Sequence, residues 1–225
     1  MRSVEQRLAE ACARSGRKRE EVKVIAVTKY VSSASAAAVV RAGVRHIGEN
    51  RWPDAKDKWE SLHGQAVFHY IGSLQTNKVK EVVGRFDYIH SLDRQSLAEA
   101  IDKKAQSLDI RVPCFVQVNI SGEESKHGLT PEQARDFIRG LQAYPAIEPI
   151  GLMTMAPLDA DAERARPVFR ALRQFRDELN REGWMARPLA ELSMGMSGDF
   201  EAAVEEGATW VRLGTVLVGK EEIEA

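Results

Sequence analysis

The 225 residues are 44% hydrophobic, enough to bury a core, and 32 basic and 33 acidic side chains are interspersed to a net charge of -1. That leaves no basic stripe for nucleic acid and no charged block for a membrane surface. Cys12 and Cys114 are too few for a disulfide framework, no apolar run nears the roughly 20 residues of a membrane span, and the amino terminus is polar. A soluble cytoplasmic protein of one domain, residues 1–225, is expected.

Ser3 and Gln6 have capping-box spacing, and Val4, Leu8, Ala11 and Cys12 recur at helical intervals up to Gly16. A strand is predicted over 22–28, with Ile25, Val27 and Lys29 on one face and Val24, Ala26 and Thr28 on the other. A lysine therefore stands at the strand's carboxyl end. Ligands gather at that end of the strands in α/β sheets and barrels, and an amine there can attack a carbonyl. A strand-end lysine that merely reaches solvent is the plainer alternative.

Ser33 is expected to cap an alanine-rich helix to Ala42, and a second strand covers 44–47. In Gly48-Glu49-Asn50, which follows, Glu49 and Asn50 could orient the lysine or close its pocket, and Asn50 could equally cap the next helix. Trp52, Ala55, Trp59 and Leu62 share that helix's apolar face. Strands are predicted over 66–71 and 86–90, with a helix over 75–83 between them, and Leu97, Ile101, Ala105 and Leu108 form the stripe of the next helix. The longest apolar run, 112–120, is strand five, and the polar loop after it carries Lys126 and His127, read as solvated. Thr130 and Gln133 form a second capping box with Pro131 at the first helical position. Strand six covers 147–153; the helix with Val168, Phe169, Leu172, Phe175 and Leu179 is expected to start or kink at Pro167. Strand seven lies near 189–192, a helix runs 198–206 and strand eight is 209–213.

Eight strands alternating with helices, without a hairpin, predict a single (β/α)8 TIM barrel with an extra N-terminal helix. A doubly wound open sheet is the alternative, but its dinucleotide form needs G-x-G-x-x-G after strand one, where this chain has T-K-Y-V-S-S. In such barrels phosphate sits between the loops after strands seven and eight. Here Gly195, Gly198 and Gly214 allow close backbone approach, and Ser193, Ser197 and Thr215 offer hydroxyl donors; Ser197 as no more than a helix cap is the competing role. Arg212 shares the parity of Trp210 and Gly214 and so should face the ligand, unless it forms a surface ion pair. His69 and His90 lie near strand ends without carboxylates at ligand spacing, and no metal is expected. Met153 and Met155 are read as packing.

A lysine after strand one opposite a phosphate cradle describes a pyridoxal-phosphate site. The sequence resembles the pyridoxal phosphate homeostasis proteins, single-barrel relatives of the alanine racemase N-terminal domain. The matching motifs are A-V-T-K (26–29), G-E-N (48–50), H-Y-I-G-S-L-Q-T-N-K (69–78), H-S-L-D (90–93), V-N-I-S (118–121), G-L-M-T-M-A-P (151–157), L-S-M-G-M-S-G-D-F (192–200) and V-R-L-G-T (211–215). The W-P-D after Asn50-Arg51 departs from the family, where a glutamine is usual. The resemblance implies that Lys29 holds pyridoxal 5'-phosphate as a Schiff base, that Ser193, Ser197, Gly214 and Thr215 belong to the phosphate site, and that Arg212 faces the pyridine nitrogen; Asn50 is counted among the binding residues. It further implies a non-enzymatic protein that buffers or delivers the cofactor in vitamin B6 and amino-acid balance. Apo forms of pyridoxal-phosphate enzymes are candidate recipients, and a monomer or weak dimer is expected.

The alternatives are a racemase, which needs a second base on the opposite face of its substrate, and a Schiff-base aldolase or isomerase of a phosphorylated metabolite. The chain ends soon after strand eight, so no second domain is expected to supply that base, and Tyr30 should point away from Lys29. A secondary role for Lys78 or Lys126 stays open.

Overall fold

The computed structural model describes residues 2–123, 127–157 and 161–219. Lys126 lies outside them. Eight parallel strands close into a barrel in sequence order: β1 (Lys23–Val27), β2 (His46–Glu49), β3 (Val67–Tyr70), β4 (Tyr88–Leu92), β5 (Val112–Gln117), β6 (Ile147–Met153), β7 (Glu191–Ser193) and β8 (Trp210–Leu213). β8 returns to β1 in the register Lys23 to Trp210, Ile25 to Arg212 and Ala26 to Leu213. Around them run α1 (Arg2–Arg14), α2 (Ser33–Arg41), α3 (Trp52–Leu62), α4 (Val79–Val82), α5 (Gln95–Gln106), α6 (Pro131–Gly140), α7 (Ala162–Arg181), α8 (Phe200–Glu205) and α9 (Thr215–Val218). No helix among the described residues is long and apolar enough to cross a membrane.

Strand alternation divides the core into two layers. Outward residues such as Ile47, Phe68, Ile89, Val116, Leu192 and Val211 meet the apolar faces of the helices. Inside, Ile25, Phe115, Met153 and Trp210 form a smaller cluster, joined by Tyr88, Ile150 and Met155, so the two methionines pack as expected. The rest of the interior is polar: His69, His90, Ser193 and Arg212 are all buried.

Several local expectations shift for physical reasons. α1 already includes Ser3, and the Gln6 amide turns to Glu10 at 2.9 Å instead of closing a capping box. Ser32, not Ser33, caps α2, accepting the Ser35 N–H at 3.2 Å, while the Thr130–Gln133 box forms as predicted. β2 and β4 start two residues later than predicted. Pairing with β1 sets β2's register, Ile25 to His46, and draws in Gly48, where a Cβ would lie 2.9 Å from the Ile25 side chain. The 75–83 segment splits into a 3-10 turn, Thr76–Lys78, and the single turn of α4. Pro167 neither starts nor ends α7: Asp161 caps it through the Arg164 N–H, and burial of Phe169, Leu172, Phe175 and Leu179 outweighs the one N–H that the proline removes.

Candidate functional site

All eight strands are parallel, so their carboxyl ends share one mouth. There β1 stops at Val27, and Thr28 to Val31 form a turn in which the Val31 N–H bonds the Thr28 carbonyl at 3.2 Å. Strand alternation therefore ends before Lys29. Its side chain is half-buried, with Nζ 4.7 Å from the centre of the Tyr30 ring, and Tyr30 is 64% exposed. Tyr30 thus lies beside the lysine, correcting the expectation that it points to the opposite face.

A buried ion pair fixes this turn from outside the strands. Lys58 of α3 donates to the Thr28 carbonyl at 2.6 Å and to Glu49 Oε1 at 2.9 Å, and the Thr28 hydroxyl donates to the same Oε1 at 2.6 Å. Burial pushes the Glu49 carboxyl above its ordinary range, and Thr28 and Lys58 counter the shift only in part. Glu49 therefore anchors the backbone that carries Lys29. Asn50 does not cap α3, whose first flanking residue is Arg51; a Cβ on Gly72 would come within 2.6 Å of the Asn50 carbonyl, so the loops after β2 and β3 meet there. Lys78 pairs with Glu81 at 3.1 Å, within one helical turn.

Across the β1–β8 seam, the two glycine-rich loops are tied together, since the Gly214 N–H donates to Ser197 Oγ at 3.2 Å. Ser197 is not the cap of α8, a place taken by Asp199, whose carboxylate accepts the Met196 N–H at 2.5 Å. Side chains would have room around this junction: a Cβ on Gly198 meets nothing within 4 Å, and one on Gly214 only Val27, at 3.8 Å. Thr215 is exposed at the start of α9.

Beneath the junction lies Arg212, 5% exposed, donating to Ser193 Oγ at 2.6 Å and to the Thr154 carbonyl at 2.9 Å. It is no surface ion pair. Burial lowers its pKa to about 10, with Asp199 acting the other way, and it stays cationic at neutral pH. Ser193 is fully buried and its hydroxyl is taken up by Arg212 and His90. His69 and His90 hold each other, Nδ1 to Nε2 at 2.9 Å, and His46 joins His69 at 3.0 Å.

Sequence reasoning missed Lys58 and His46. Lys58 could have been found as the one charged residue inside the apolar stripe of Ala55, Trp59 and Leu62. His46 carries the inward parity of Gly48, but only the barrel's stagger brings it to His69.

The family model for the alanine racemase N-terminal domain matches residues 2–222. An alanine racemase from Clostridium difficile superposes with a TM-score of 0.74 at 16% identity, covering 97% of this chain and 56% of that one, a likeness of fold alone. Fold and site together define a barrel of the alanine racemase N-terminal type. A pyridoxal phosphate homeostasis protein of Aquifex aeolicus is 42% identical over 216 residues, 96% of this chain and 94% of that protein. PipY of Synechococcus elongatus, solved with PLP bound, is 36% identical with a TM-score of 0.83, over 94% of this chain and all of that one. The chain belongs to the pyridoxal phosphate homeostasis protein family.

Proposed function

We propose that this protein binds pyridoxal phosphate reversibly and serves vitamin B6 and amino-acid balance as a carrier without robust turnover. The observation that carries this proposal is the joining of the two loops by the Gly214–Ser197 bond, over the buried Arg212 and across the β1–β8 seam from the Lys29 turn. The residues fit the group. When bound, pyridoxal phosphate supplies an electrophilic aldehyde and a phosphate dianion.

Lys29 provides the amine for the aldehyde. Ser197, Thr215 and the Gly214 backbone hold the phosphate, where glycines leave open space. Ser193 lies under this layer and fixes the Arg212 guanidinium, while Asn50 helps shape the mouth beside Gly72. A permanent cation at Arg212 disfavours protonation of a pyridine nitrogen, which carbanion chemistry uses as its electron sink. Racemases of this barrel type share that feature, so the carrier reading is supported by the names of the relatives. A cytoplasmic monomer or weak dimer that passes the cofactor to apoenzymes completes the proposal.

Borohydride reduction of the loaded protein should fix the cofactor on the peptide containing Lys29, and Lys29→Ala should lose it. Label found chiefly on Lys78 or Lys126 would overturn the assignment. Proton exchange at the α-carbon of L- and D-amino acids in deuterated water tests the carrier role; turnover of about 1 s⁻¹ or faster would mark an enzyme instead.

A further inference from the structure

The barrel interior holds a continuous line of hydrogen bonds that the cofactor site does not require. From Arg212 it runs to Ser193 Oγ at 2.6 Å, from Ser193 to His90 Nδ1 at 2.9 Å, from His90 Nε2 to His69 Nδ1 at 2.9 Å, and from His69 Nε2 to His46 Nδ1 at 3.0 Å. Each ring presents Nδ1 toward the Arg212 end and Nε2 toward the far end. Barrel stagger produces the arrangement: His69 pairs with Gly48, two residues beyond His46, and Tyr88 pairs with His69, two residues before His90. The line therefore descends two residues per strand from the carboxyl mouth toward the amino mouth. There His46 is half-buried, edge-on to Trp210 at 4.9 Å, and lines a cavity of about 310 Å³ with Lys23 and Arg45; its Nε2 has no protein partner among the described residues.

We propose that His90, His69 and His46 form a proton relay joining Ser193 and Arg212 at the ligand-facing end of the barrel to solvent at the opposite end. Donor counting sets its resting polarity. Arg212 can only donate, so Ser193 Oγ accepts from it, and the one hydroxyl hydrogen finds its acceptor in His90 Nδ1. His90 and His69 then each donate through Nε2 to the next ring, and the His46 Nε2–H is left free at the half-buried end of the line. All three rings are neutral in the same tautomer, consistent with the way burial and the neighbouring cations Arg212 and Lys23 disfavour imidazolium.

A proton arriving at Ser193 Oγ displaces the hydroxyl proton to His90 Nδ1. His90 passes its Nε2 proton to His69, His69 passes its own to His46, and His46 releases one to water. One proton enters, one leaves, only O–H and N–H bonds change, and every ring ends in the opposite tautomer, ready to conduct the reverse way. No ring stays charged. The relay would let a group that reaches the remaining lone pair of Ser193 Oγ, beside Arg212, gain or lose a proton while it covers the carboxyl mouth, and this holds whatever that ligand is.

The test needs only the ligand-free protein, ring-labelled with ¹⁵N. Long-range proton–nitrogen spectra near neutral pH should show His46, His69 and His90 neutral and in one common tautomer, with the ring protons of His69 and His90 exchanging with water at a common rate. Separate local openings would instead make the deeper His90 far slower. In His46→Asn the side-chain carbonyl can still accept from His69 but cannot pass a proton on. The two tautomers should persist while ring-proton exchange slows by about tenfold or more. Mixed tautomers, unequal rates in the parent protein, or unchanged exchange in His46→Asn would each overturn the relay; if that variant does not fold, the parent's rates decide alone.

Discussion

At the scale of single residues, Lys58 is the most consequential side chain outside the site. It is 4% exposed and its ammonium is the only cation holding Glu49 among the described interactions, while the same ammonium fixes the carbonyl of Thr28, one residue before Lys29. Removing one member of a buried pair strands the other, so Lys58→Met should destabilise the fold by about 3 kcal/mol in urea unfolding. It should also weaken pyridoxal phosphate binding, because the turn that presents Lys29 loses its anchor. Adding Glu49→Gln should recover most of the stability; a double variant no better than the single would show that the loss came from packing. The sequence revealed Lys29 at a strand end but not this support, since a charged residue in an apolar stripe discloses a burial without disclosing its partner.

At the scale of elements, the loops after β7 and β8 were legible from their glycines and hydroxyls, whereas the bond between them depends on how β7 and β8 pair and could not be read from either loop. Ser197→Ala should open that junction and lower pyridoxal phosphate affinity about tenfold, the loss of one charge-assisted hydrogen bond, while pyridoxal affinity stays nearly the same. An equal loss for both ligands would remove Ser197 from the phosphate site. Gly195 controls the same loop differently: its φ is +93° and a Cβ would lie 2.5 Å from the Ala203 Cβ, so a side chain there must push α8 away. Gly195→Ala should therefore cost about 2 kcal/mol in unfolding experiments, from the left-handed backbone and the overpacking together.

For the molecule as a whole, alternation of strands and helices disclosed the barrel, because a parallel strand buried on both faces and an amphipathic helix each leave a local pattern. The polar line through its centre left none: 46, 69 and 90 become neighbours only after the sheet closes with its stagger. Its burial has a consequence for the stability of the whole fold. His46, His69 and His90 all have pKa values pushed below the ordinary 6.5 by burial, so below that pH the unfolded chain takes up protons that the folded one does not. Their contribution is complete above about 6.5 and is lost as pH falls toward the folded values, at up to about 1.4 kcal/mol per pH unit for each ring. Glu49, Asp87 and Asp199 act in the opposite sense. Their raised carboxyl pKa values give stability that is full below 4.5 for Glu49 and below 3.8 for the two aspartates and lost as pH rises through the folded values, so they offset the rings only where those folded values reach the same range, while His69 and His90, pushed well below 6.5, carry the larger shifts. Carboxylates held low by arginines, such as Glu201 and Glu206, titrate below 4.5 and add nothing between neutrality and mild acid. Urea unfolding should thus show stability falling from about pH 7 to about pH 5.5, with net proton uptake on unfolding. A flat or rising profile over that range would mean that the rings are charged within the fold, and the interior would have to be hydrated around them.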